Sequence, residues 1–260
     1  MKAAGIRIIP SIPGIKVHAK VALVLKRNSK DDKLRGFTFL STGNFNEKTA
    51  KLYCDHGLFT YNQDIAEDMK KLFFHLETGD RNIKFNHMLV GLFNLKERII
   101  EMIERETINA KEGKKAYMIL KMNGLEEPKV IEKLYEAGQN GVEIDLIVRG
   151  VCCLKPDSEF SPNIRVTRIV DRFLEHARVF IFYNDGNLDT FISSADFMKR
   201  NLNRRIETTT PVYDPENKKK LYDILKIQLK DNTKARFVGN NYENIEKPLG
   251  DEGKWRAQYD

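Results

Sequence analysis

Polar and apolar residues alternate near the start of the chain, where Lys16, His18 and Lys20 are separated by single apolar residues. Side chains that alternate with a period of two point to opposite faces of a strand. The pattern therefore predicts a strand that carries these three polar side chains on one face. A polar loop is predicted at 28–33 and a second strand at 37–40.

Longer segments carry apolar residues at the spacing of a helix. Residues 65–76 give the clearest case, because apolar side chains recur there every three or four positions. Asn94 is predicted to begin a long helix, with Glu97 as its capping-box partner. Pro128 fits the first turn of another helix. Including these, the predicted helices are 46–52, 65–76, 94–111, 128–139 and 215–229.

Further strands are predicted between the helices, at 116–121, 142–148, 164–169, 179–183 and 190–192. Alternating strands and helices indicate an α/β fold with a mainly parallel or mixed sheet.

The predicted elements divide the chain near Gly79. We expect a first domain at 1–80, a second at 81–239 and a loose polar tail at 240–260. Few residues precede the first half's histidine, whereas the second half has a full α/β approach. We therefore expect the first half to be truncated at its N-terminus.

A duplicated pattern of polar residues relates the two halves. His18 lies at the centre of Lys-Val-His-Ala-Lys, and His176 lies at the centre of Leu-Glu-His-Ala-Arg. The block 41–45 (Ser-Thr-Gly-Asn-Phe) follows the first histidine, and 193–197 (Ser-Ser-Ala-Asp-Phe) follows the second. Two copies in the same order indicate two catalytic half-sites that meet at one cleft.

Each copy also contains a carboxylate. Asp55 lies eleven residues after Asn44, and Glu207 lies eleven residues after Asp196. Such carboxylates can orient a histidine, as they do in catalytic triads. Asn44 and Asp196 can hydrogen-bond an imidazole nitrogen or a substrate.

Histidine suits phosphoryl chemistry because its neutral form is a nucleophile near pH 7 and its protonated form is a general acid. Lys20 and Arg178, each two residues after a histidine, are predicted to neutralise phosphate oxygens. Arg204 and Arg205 lie just before a predicted orienting carboxylate and are predicted to bind phosphate as well.

The overall charge agrees with a polyanionic partner. The net charge is +7 and the pI is about 9.1, which favours phosphate chains, nucleotides or nucleic acid, although a solvated basic surface remains an alternative. No apolar run is long enough for a membrane span, and no signal-peptide pattern is present. Three cysteines, two of them adjacent, predict reduced thiols in a cytoplasmic protein.

This layout resembles the phospholipase-D-like superfamily, whose halves carry His-x-Lys, a Gly-Ser-x-Asn block and a downstream carboxylate. It implies a fold of two α/β/α halves. The superfamily usually has Asp seven residues after each histidine, but Leu25 and Tyr183 occupy those positions here. Arg178 replaces the second Lys and Asp196 the second Asn. These departures count against phosphodiesterase activity.

A closer resemblance covers nearly the whole chain and involves the C-terminal half of bacterial polyphosphate kinases. The matching segments are 12–20, 42–53, 93–95, 147–150, 173–176 and 193–198. The resemblance implies reversible transfer of the terminal phosphate of ATP onto inorganic polyphosphate. It identifies His18 as the histidine that becomes phosphorylated and His176 as an acid/base or stabilising group.

The same resemblance implies the substrates and partners. Tyr53, Arg149 and His176 match positions that contact the nucleotide. The family uses Mg²⁺, and the arginines that help to hold the metal lie upstream of this chain, so no metal ligand is expected within it. We expect ATP, ADP and polyphosphate as partners, assembly as a homo-oligomer, no nucleic acid, and a cytoplasmic location with peripheral membrane association left open.

Two other functions remain as alternatives. One is a phospholipase-D-like phosphodiesterase or nuclease, which requires hydrolysis of a phosphodiester. The other is a non-catalytic module that binds polyanions with a strong dependence on salt. His56, His75 and His87 lack the repeated context and are predicted to be structural or surface residues.

Overall fold

The computed structural model describes residues 2–156, 158–250 and 253–259. The helices are α1 Glu47–Ala50, α2 Gln63–Thr78, α3 Leu95–Lys111, α4 Pro128–Gln139, α5 Lys199–Arg204 and α6 Pro215–Lys230, with short 3-10 helices at Lys2–Ala4 and Asn184–Gly186. The strands are β1 Lys16–Val17, β2 Val21–Arg27, β3 Leu34–Ser41, β4 Tyr53–Cys54, β5 Gly57–Thr60, β6 Leu89–Val90, β7 Tyr117–Met122, β8 Glu143–Val148, β9 Ile164–Ile169, β10 Leu174–Glu175, β11 Arg178–Phe182, β12 Asp189–Ser193, β13 Arg205–Ile206, β14 Thr208–Pro211, β15 Ala235–Val238 and β16 Asn244–Glu246.

A nine-stranded mixed sheet forms the second half, in the order β16-β15-β9-β8-β7-β11-β12-β14-β6. Strands β7, β8 and β9 are parallel, and their neighbours run antiparallel. Alternation along β7 places Leu120 in the core shared with α3 and α4, whereas Ile119 packs in the core shared with α6. Helices therefore cover both faces, and the α/β fold predicted from the sequence is confirmed.

A three-stranded antiparallel sheet, β2-β3-β5, forms the first half. Helix α2 packs on one face, where Leu40 meets Met69 and Leu72. Gly36 permits this close approach, because a Cβ there would lie 2.5 Å from the Cβ of Ala66. The opposite face exposes apolar side chains, among them Phe59 at 81%. The first half is therefore covered by a helix on one face, and the second half on both.

The predicted strand through His18 and Lys20 is interrupted. The backbone N–H groups of His18 and Ala19 both donate to the carbonyl of Ile206, at 2.8 and 3.1 Å. Two donors on one acceptor break the ladder, as in a β-bulge. Residues 18–20 therefore separate β1 from β2, and the prediction of one continuous strand was wrong.

The predicted capping box of α3 is also wrong. The side chain of Asn94 does not cap α3. Instead its Oδ1 accepts from the backbone N–H of Val90 at 2.7 Å, and its Nδ2 donates to the carbonyl of Met88 at 3.2 Å. The amide bonds instead to the backbone at residues 88–90, in and just before β6, which offers both a donor and an acceptor.

The expected loose tail after Asn240 is packed against the second half. Strand β16 pairs with β15 at the edge of the large sheet. Farther on, Arg256 forms a two-pronged ion pair with Asp171, at 2.9 and 2.5 Å. Polar composition misled the prediction, because these polar side chains make specific contacts instead of facing only water.

Candidate active site

Two short parallel strand pairs join the halves and set the geometry of the site. Strand β1 pairs with β13, with Val17 opposite Ile206. Strand β4 pairs with β10, with Cys54 opposite Glu175. Each pair joins the segment before one half's histidine to the segment before the other half's carboxylate. The next residue in each register is therefore a histidine facing a carboxylate, and the pairing is crossed between the halves.

His18 bonds through Nδ1 to Oε2 of Glu207 at 2.9 Å. The side chain of Glu207 is fully buried, and it also accepts from Ser194 Oγ at 2.5 Å and Asn201 Nδ2 at 2.7 Å. An ionised carboxylate only accepts hydrogen bonds, so Nδ1 of His18 carries the proton. This tautomer leaves the lone pair of Nε2 available as a nucleophile.

His176 makes the matching bond, from Nδ1 to Oδ1 of Asp55 at 2.8 Å. The same oxygen accepts from Thr42 Oγ1 at 2.6 Å. Burial raises the pKa of Asp55, but the bonds from His176 and Thr42 and the charge of Arg178 outweigh it and hold that pKa below its usual range. Asp55 is therefore a charged acceptor that fixes the orientation of the imidazole.

Lys20 brings a buried positive charge to the cleft. Its ammonium donates to the carbonyl of His18 at 2.5 Å. Burial lowers the pKa of Lys20 to about 8. Glu207 and Asp55 oppose that shift, whereas Arg178 and Arg205 add to it. Charges from both halves thus act on one ammonium group, which places Lys20 between them.

Arg178 is the corresponding cation of the second half, and it is held more firmly. Its guanidinium forms a two-pronged ion pair with Asp196, at 3.2 and 3.1 Å. Its Nη1 lies 3.4 Å from Nδ1 and 3.1 Å from Nε2 of His176. This atom is therefore close to both ring nitrogens and within hydrogen-bond distance of Nε2.

The surroundings of His176 disfavour its protonated form. Burial lowers the pKa of His176, and the positive charges of Arg178 and Lys20 lower it further, against the opposing effect of Asp55. The ring is therefore neutral near pH 7, and with its proton on Nδ1 it has a lone pair on Nε2.

The predicted nucleotide contacts lie beside His176. The ring of Tyr53 is 4.9 Å from the imidazole, centroid to centroid. Arg149 follows β8, and its Nε donates to the carbonyl of Glu175 at 3.0 Å and to Oδ1 of Asn123. The structure brings these groups together, and their contact with ATP stays a prediction.

Asn123 is a site residue that sequence reasoning missed. Besides accepting from Arg149, its side chain donates to the carbonyl of His176 at 3.1 Å, and its backbone N–H donates to Asp196 at 2.7 Å. It thereby links three predicted site residues. It lies outside the duplicated blocks, so no repeat signal marked it.

Thr42 and Ser194 were also missed, although a signal was present. They occupy the same position in the two repeated blocks, and each hydroxyl donates to the carboxylate that follows in its own half. Gly43, next to Thr42, leaves room for this carboxylate, because a Cβ there would lie 2.5 Å from Oδ2 of Asp55.

The other predicted phosphate contacts are less closely joined to the cleft. Asn44 and Arg204 are exposed, the latter at the end of α5. Arg205 is half-buried and pairs with Lys16 across β13 and β1. Asp196 does not contact an imidazole nitrogen directly and instead anchors Arg178. Binding of phosphate by these residues stays a prediction.

A resident magnesium ion does not fit the residues present. Over the described parts of the chain, no group of three or more His, Cys, Asp or Glu side chains can hold a metal ion. The site carboxylates Asp55, Asp196 and Glu207 are already bonded to His176, Arg178 and His18. Magnesium remains a prediction that concerns the phosphates of ATP.

The remaining histidines have local partners or surroundings. His75 bonds the carbonyl of Asp80 at 2.6 Å, and His87 bonds the hydroxyl of Tyr213 at 2.8 Å. Burial lowers the pKa of His56 to about 4. Cys54, Cys152 and Cys153 are free thiols. Among the described helices, none is both long and apolar enough to cross a membrane.

Comparison with known proteins identifies the relatives of this site. The model for polyphosphate kinase C-terminal domain 1 matches residues 1–82, and that for C-terminal domain 2 matches residues 88–258. Polyphosphate kinase from Vibrio parahaemolyticus is 43% identical over 256 residues, covering 98% of this chain and 36% of the relative. Its counterpart from Campylobacter jejuni is 45% identical over 248 residues, covering 94% of this chain and 35% of the relative.

A solved structure agrees with these matches. The crystal structure of polyphosphate kinase from Porphyromonas gingivalis has a TM-score of 0.93 and 52% identity, covering 99% of this chain and 40% of that one. The chain thus spans between 35% and 36% of the length of the two curated relatives described. The resemblance seen in the sequence motifs is confirmed, and the chain belongs to the polyphosphate kinase family.

Proposed function

We propose that this chain carries the centre for reversible transfer of the terminal phosphate of ATP to inorganic polyphosphate, through a phosphohistidine on His18. The crossed pair of His18 and Glu207 is the observation that carries the proposal. It fixes the proton on Nδ1 and presents the lone pair of Nε2. The polyphosphate kinase relatives support the same substrates.

Transfer takes two steps at one site. In the first, Nε2 of His18 attacks the terminal phosphorus of ATP, a P–N bond forms, and the P–O bond to ADP breaks with its electron pair leaving on ADP. In the second, a terminal oxygen of polyphosphate attacks that phosphorus, and the P–N electron pair returns to Nε2. The reverse reaction follows the same steps, so the donor and acceptor use the site in turn.

Buried charges suit this chemistry because phosphoryl transfer depends mainly on positioning and charge neutralisation. Lys20 from the first half and Arg178 from the second half neutralise the phosphate oxygens. Glu207 is hydrogen-bonded to the ring of His18 and stabilises the positive charge that the ring carries once phosphorylated.

His176 acts beside the transferred group. Its neutral ring, fixed by Asp55, presents Nε2 as a proton acceptor or as a stabilising partner for the phosphate. Tyr53 and Arg149 lie on the same side and contact the nucleotide. Magnesium on the ATP phosphates and assembly as a homo-oligomer remain predictions from the family resemblance.

No specific contact favours the alternative phosphodiesterase function. The positions seven residues after the histidines hold Leu25, which is exposed on β2, and Tyr183, whose ring lies 4.8 Å from that of Tyr117, centroid to centroid. Neither position supplies a carboxylate.

Labelling with γ-labelled ATP and magnesium tests the proposal. We expect base-stable, acid-labile label on His18, and loss of that label in His18→Ala. His87→Ala is the matched control, because His87 lies outside the repeated blocks. The chain and the protein at its native length are both assayed, together with binding of ATP.

The outcomes separate the candidate functions. Label on His18 in the native-length form alone means that residues outside this chain complete the site. Bound ATP without label in either form contradicts the phosphohistidine. Release of product from a generic phosphodiester would instead favour a hydrolase.

A further inference from the structure

Glu175, the residue before His176, is the centre of a buried polar cluster. It is 3% exposed. Its Oε2 accepts from Lys121 Nζ at 2.5 Å and from Gln228 Nε2 at 2.9 Å. Its Oε1 accepts from Gln258 Nε2 at 2.7 Å. Groups from β7, α6 and the C-terminal segment therefore meet on one carboxylate.

The side chain of Gln258 also clamps the backbone at Phe173. Its Nε2 donates to the carbonyl of Phe173 at 2.9 Å, and its Oε1 accepts from the N–H of Phe173 at 3.0 Å. One amide thus satisfies both backbone groups of one residue, as a neighbouring strand would. The contact fixes the chain on the N-terminal side of β10.

The rest of the C-terminal segment holds Gln258 in place. The N–H of Ala257 donates to Oδ2 of Asp231 at 2.8 Å, and Asp231 is fully buried beyond the end of α6. Arg256 is paired with Asp171, two residues before Phe173. These contacts attach the segment to both α6 and the loop that leads into β10.

The position of Glu175 determines the position of the active-site groups. Its backbone lies opposite Cys54 in the β4–β10 pair, and the carbonyl of Cys54 accepts from the N–H of His176 at 3.2 Å. The carbonyl of Glu175 accepts from Arg149. A shift of β10 therefore moves His176 relative to Asp55 and releases Arg149 at the same time.

We propose that Gln258 is a positioning residue, which holds Glu175 and β10 in the register that presents His176 and Arg149 to the substrate. The catalytic consequence rests on the proposed function. A buried lysine–glutamate pair is an expensive way to stabilise a strand, since apolar side chains often do as well. Directional bonds to one carboxylate instead fix β10 along its length.

Histidine ring spectra test the positioning directly. The chain is labelled with ¹⁵N in its histidine rings, and the signals are assigned with His176→Gln and His18→Gln. In Gln258→Leu, which removes the amide, we expect the His176 signals to shift or broaden and the His18 signals to stay. Tyr259→Phe is the matched control, because it alters the same segment but removes only a hydroxyl that contacts Arg172 at 3.2 Å.

A second variant keeps the proposal testable if Gln258→Leu does not fold. Gln258→Asn keeps the amide but shortens the side chain by one methylene, so it cannot reach Glu175 and Phe173 together. Urea unfolding is measured for every variant. Unchanged His176 signals in a folded variant at position 258 overturn the proposal. Equal changes at His18 and His176 also overturn it, because they indicate general loosening.

Measurements of kcat/KM on the protein at its native length test the catalytic consequence. We expect kcat/KM to fall about tenfold to a hundredfold in Gln258→Leu, because small displacements of reacting groups cost that much, and to stay near wild type in Tyr259→Phe. A spectral change at His176 without phosphorylation of His18 in the unaltered protein would contradict the proposed function and leave the positioning role supported. A spectral change with unaltered kcat/KM in an active protein overturns the catalytic part.

Discussion

The two half-sites build the same hydrogen-bonded pair in opposite surroundings. In the pair of His18 with Glu207, the imidazole is 20% exposed and the carboxylate is fully buried. In the pair of His176 with Asp55, the imidazole is 10% exposed and the carboxylate 18%. A nucleophile has to reach phosphorus, so the more exposed ring suits attack and the more enclosed ring suits support.

Lys20 and Arg178 also differ, because the cation of the second half is held more firmly. Arg178 is locked by Asp196, whereas the equivalent position in the first half is Asn44, which is exposed. Lys20 bonds a backbone carbonyl instead, and burial lowers its pKa. Duplication supplied a common frame, and a few exchanged side chains gave one half a firmly held charge and the other a charge that titrates.

The largest expected effect comes from exchanging the carboxylates one at a time. In Glu207→Gln the amide no longer fixes the proton on Nδ1 of His18, and phosphorylation of His18 is expected to fall by about 10³-fold or more, as for neutralised triad carboxylates. Asp55→Asn acts on the supporting histidine, and a loss of about 10²-fold is expected. Single-turnover labelling measures both.

The relative size of these losses tests the assigned roles. Equal losses would remove the distinction between nucleophile and support, and a larger loss in Asp55→Asn would reverse it. Asp64→Asn is a suitable control, since Asp64 lies in the first turn of α2, outside the repeated blocks.

The next effect concerns stability and compares the two cations. Arg178→Met leaves the buried carboxylate of Asp196 without its cation, and the free energy of unfolding is expected to fall by about 3–5 kcal/mol. Lys20→Met removes a hydrogen bond to a carbonyl but also the burial cost that lowers the pKa of Lys20, so a change of less than about 1 kcal/mol is expected near pH 7. Urea unfolding measures both.

A companion variant checks the cause of that difference. Adding Asp196→Asn to Arg178→Met removes the uncompensated charge, so the double variant should recover part of the lost stability. A double variant less stable than Arg178→Met alone would mean that packing, not charge, holds this corner of the second half.

The sequence predicted those parts of the site that occur twice along the chain. His18 and His176, with their carboxylates, were predicted because duplication marks equivalent positions without any knowledge of structure. The crossed pairing was not predicted, because it depends on two short parallel strand pairs, β1 with β13 and β4 with β10, too short to show periodicity.

The fold shows the same division between local and tertiary signals. Helix α4 was predicted with its observed ends, since Pro128 and a strong apolar face fix them locally. The C-terminal segment was predicted to be loose because its polar residues carry no local sign of their partners. Asn123 was missed for the same reason, because its three contacts come from distant parts of the chain.

A smaller effect tests why the repeated blocks differ at one position. Gly43 and Ala195 are equivalent, but a Cβ at Gly43 meets Asp55 within 2.8 Å, whereas Ala195 is already packed in the core. Gly43→Ala is expected to lower the free energy of unfolding by about 2 kcal/mol through overpacking, and to weaken the bond from Asp55 to His176. Ala195→Gly should cost about 1 kcal/mol. A stabilising Gly43→Ala would show that Asp55 can move aside.

The smallest effect is a pH dependence that only the first half's cation should show. Lys20 loses its charge above its pKa of about 8, so kcat/KM for ATP should fall by at most about tenfold per pH unit on the alkaline side. Lys20→Arg keeps its charge, and its alkaline limb should move upward by at least about one pH unit. An unchanged alkaline limb in Lys20→Arg would mean that a group other than Lys20 causes the loss of activity.

Stability should respond in the opposite direction, which gives an independent check on the same lysine. In the unfolded chain Lys20 has its ordinary pKa of 10.5, whereas in the folded chain its pKa is about 8. Between these pH values the unfolded chain binds more protons, so this group's contribution to the free energy of unfolding rises with pH. The difference in unfolding free energy between the wild type and Lys20→Met should therefore grow in favour of the wild type from pH 8 to 10.5. A flat difference would mean that Lys20 is not buried close to other cations. The contrast with the ion-paired Arg178 would then fail.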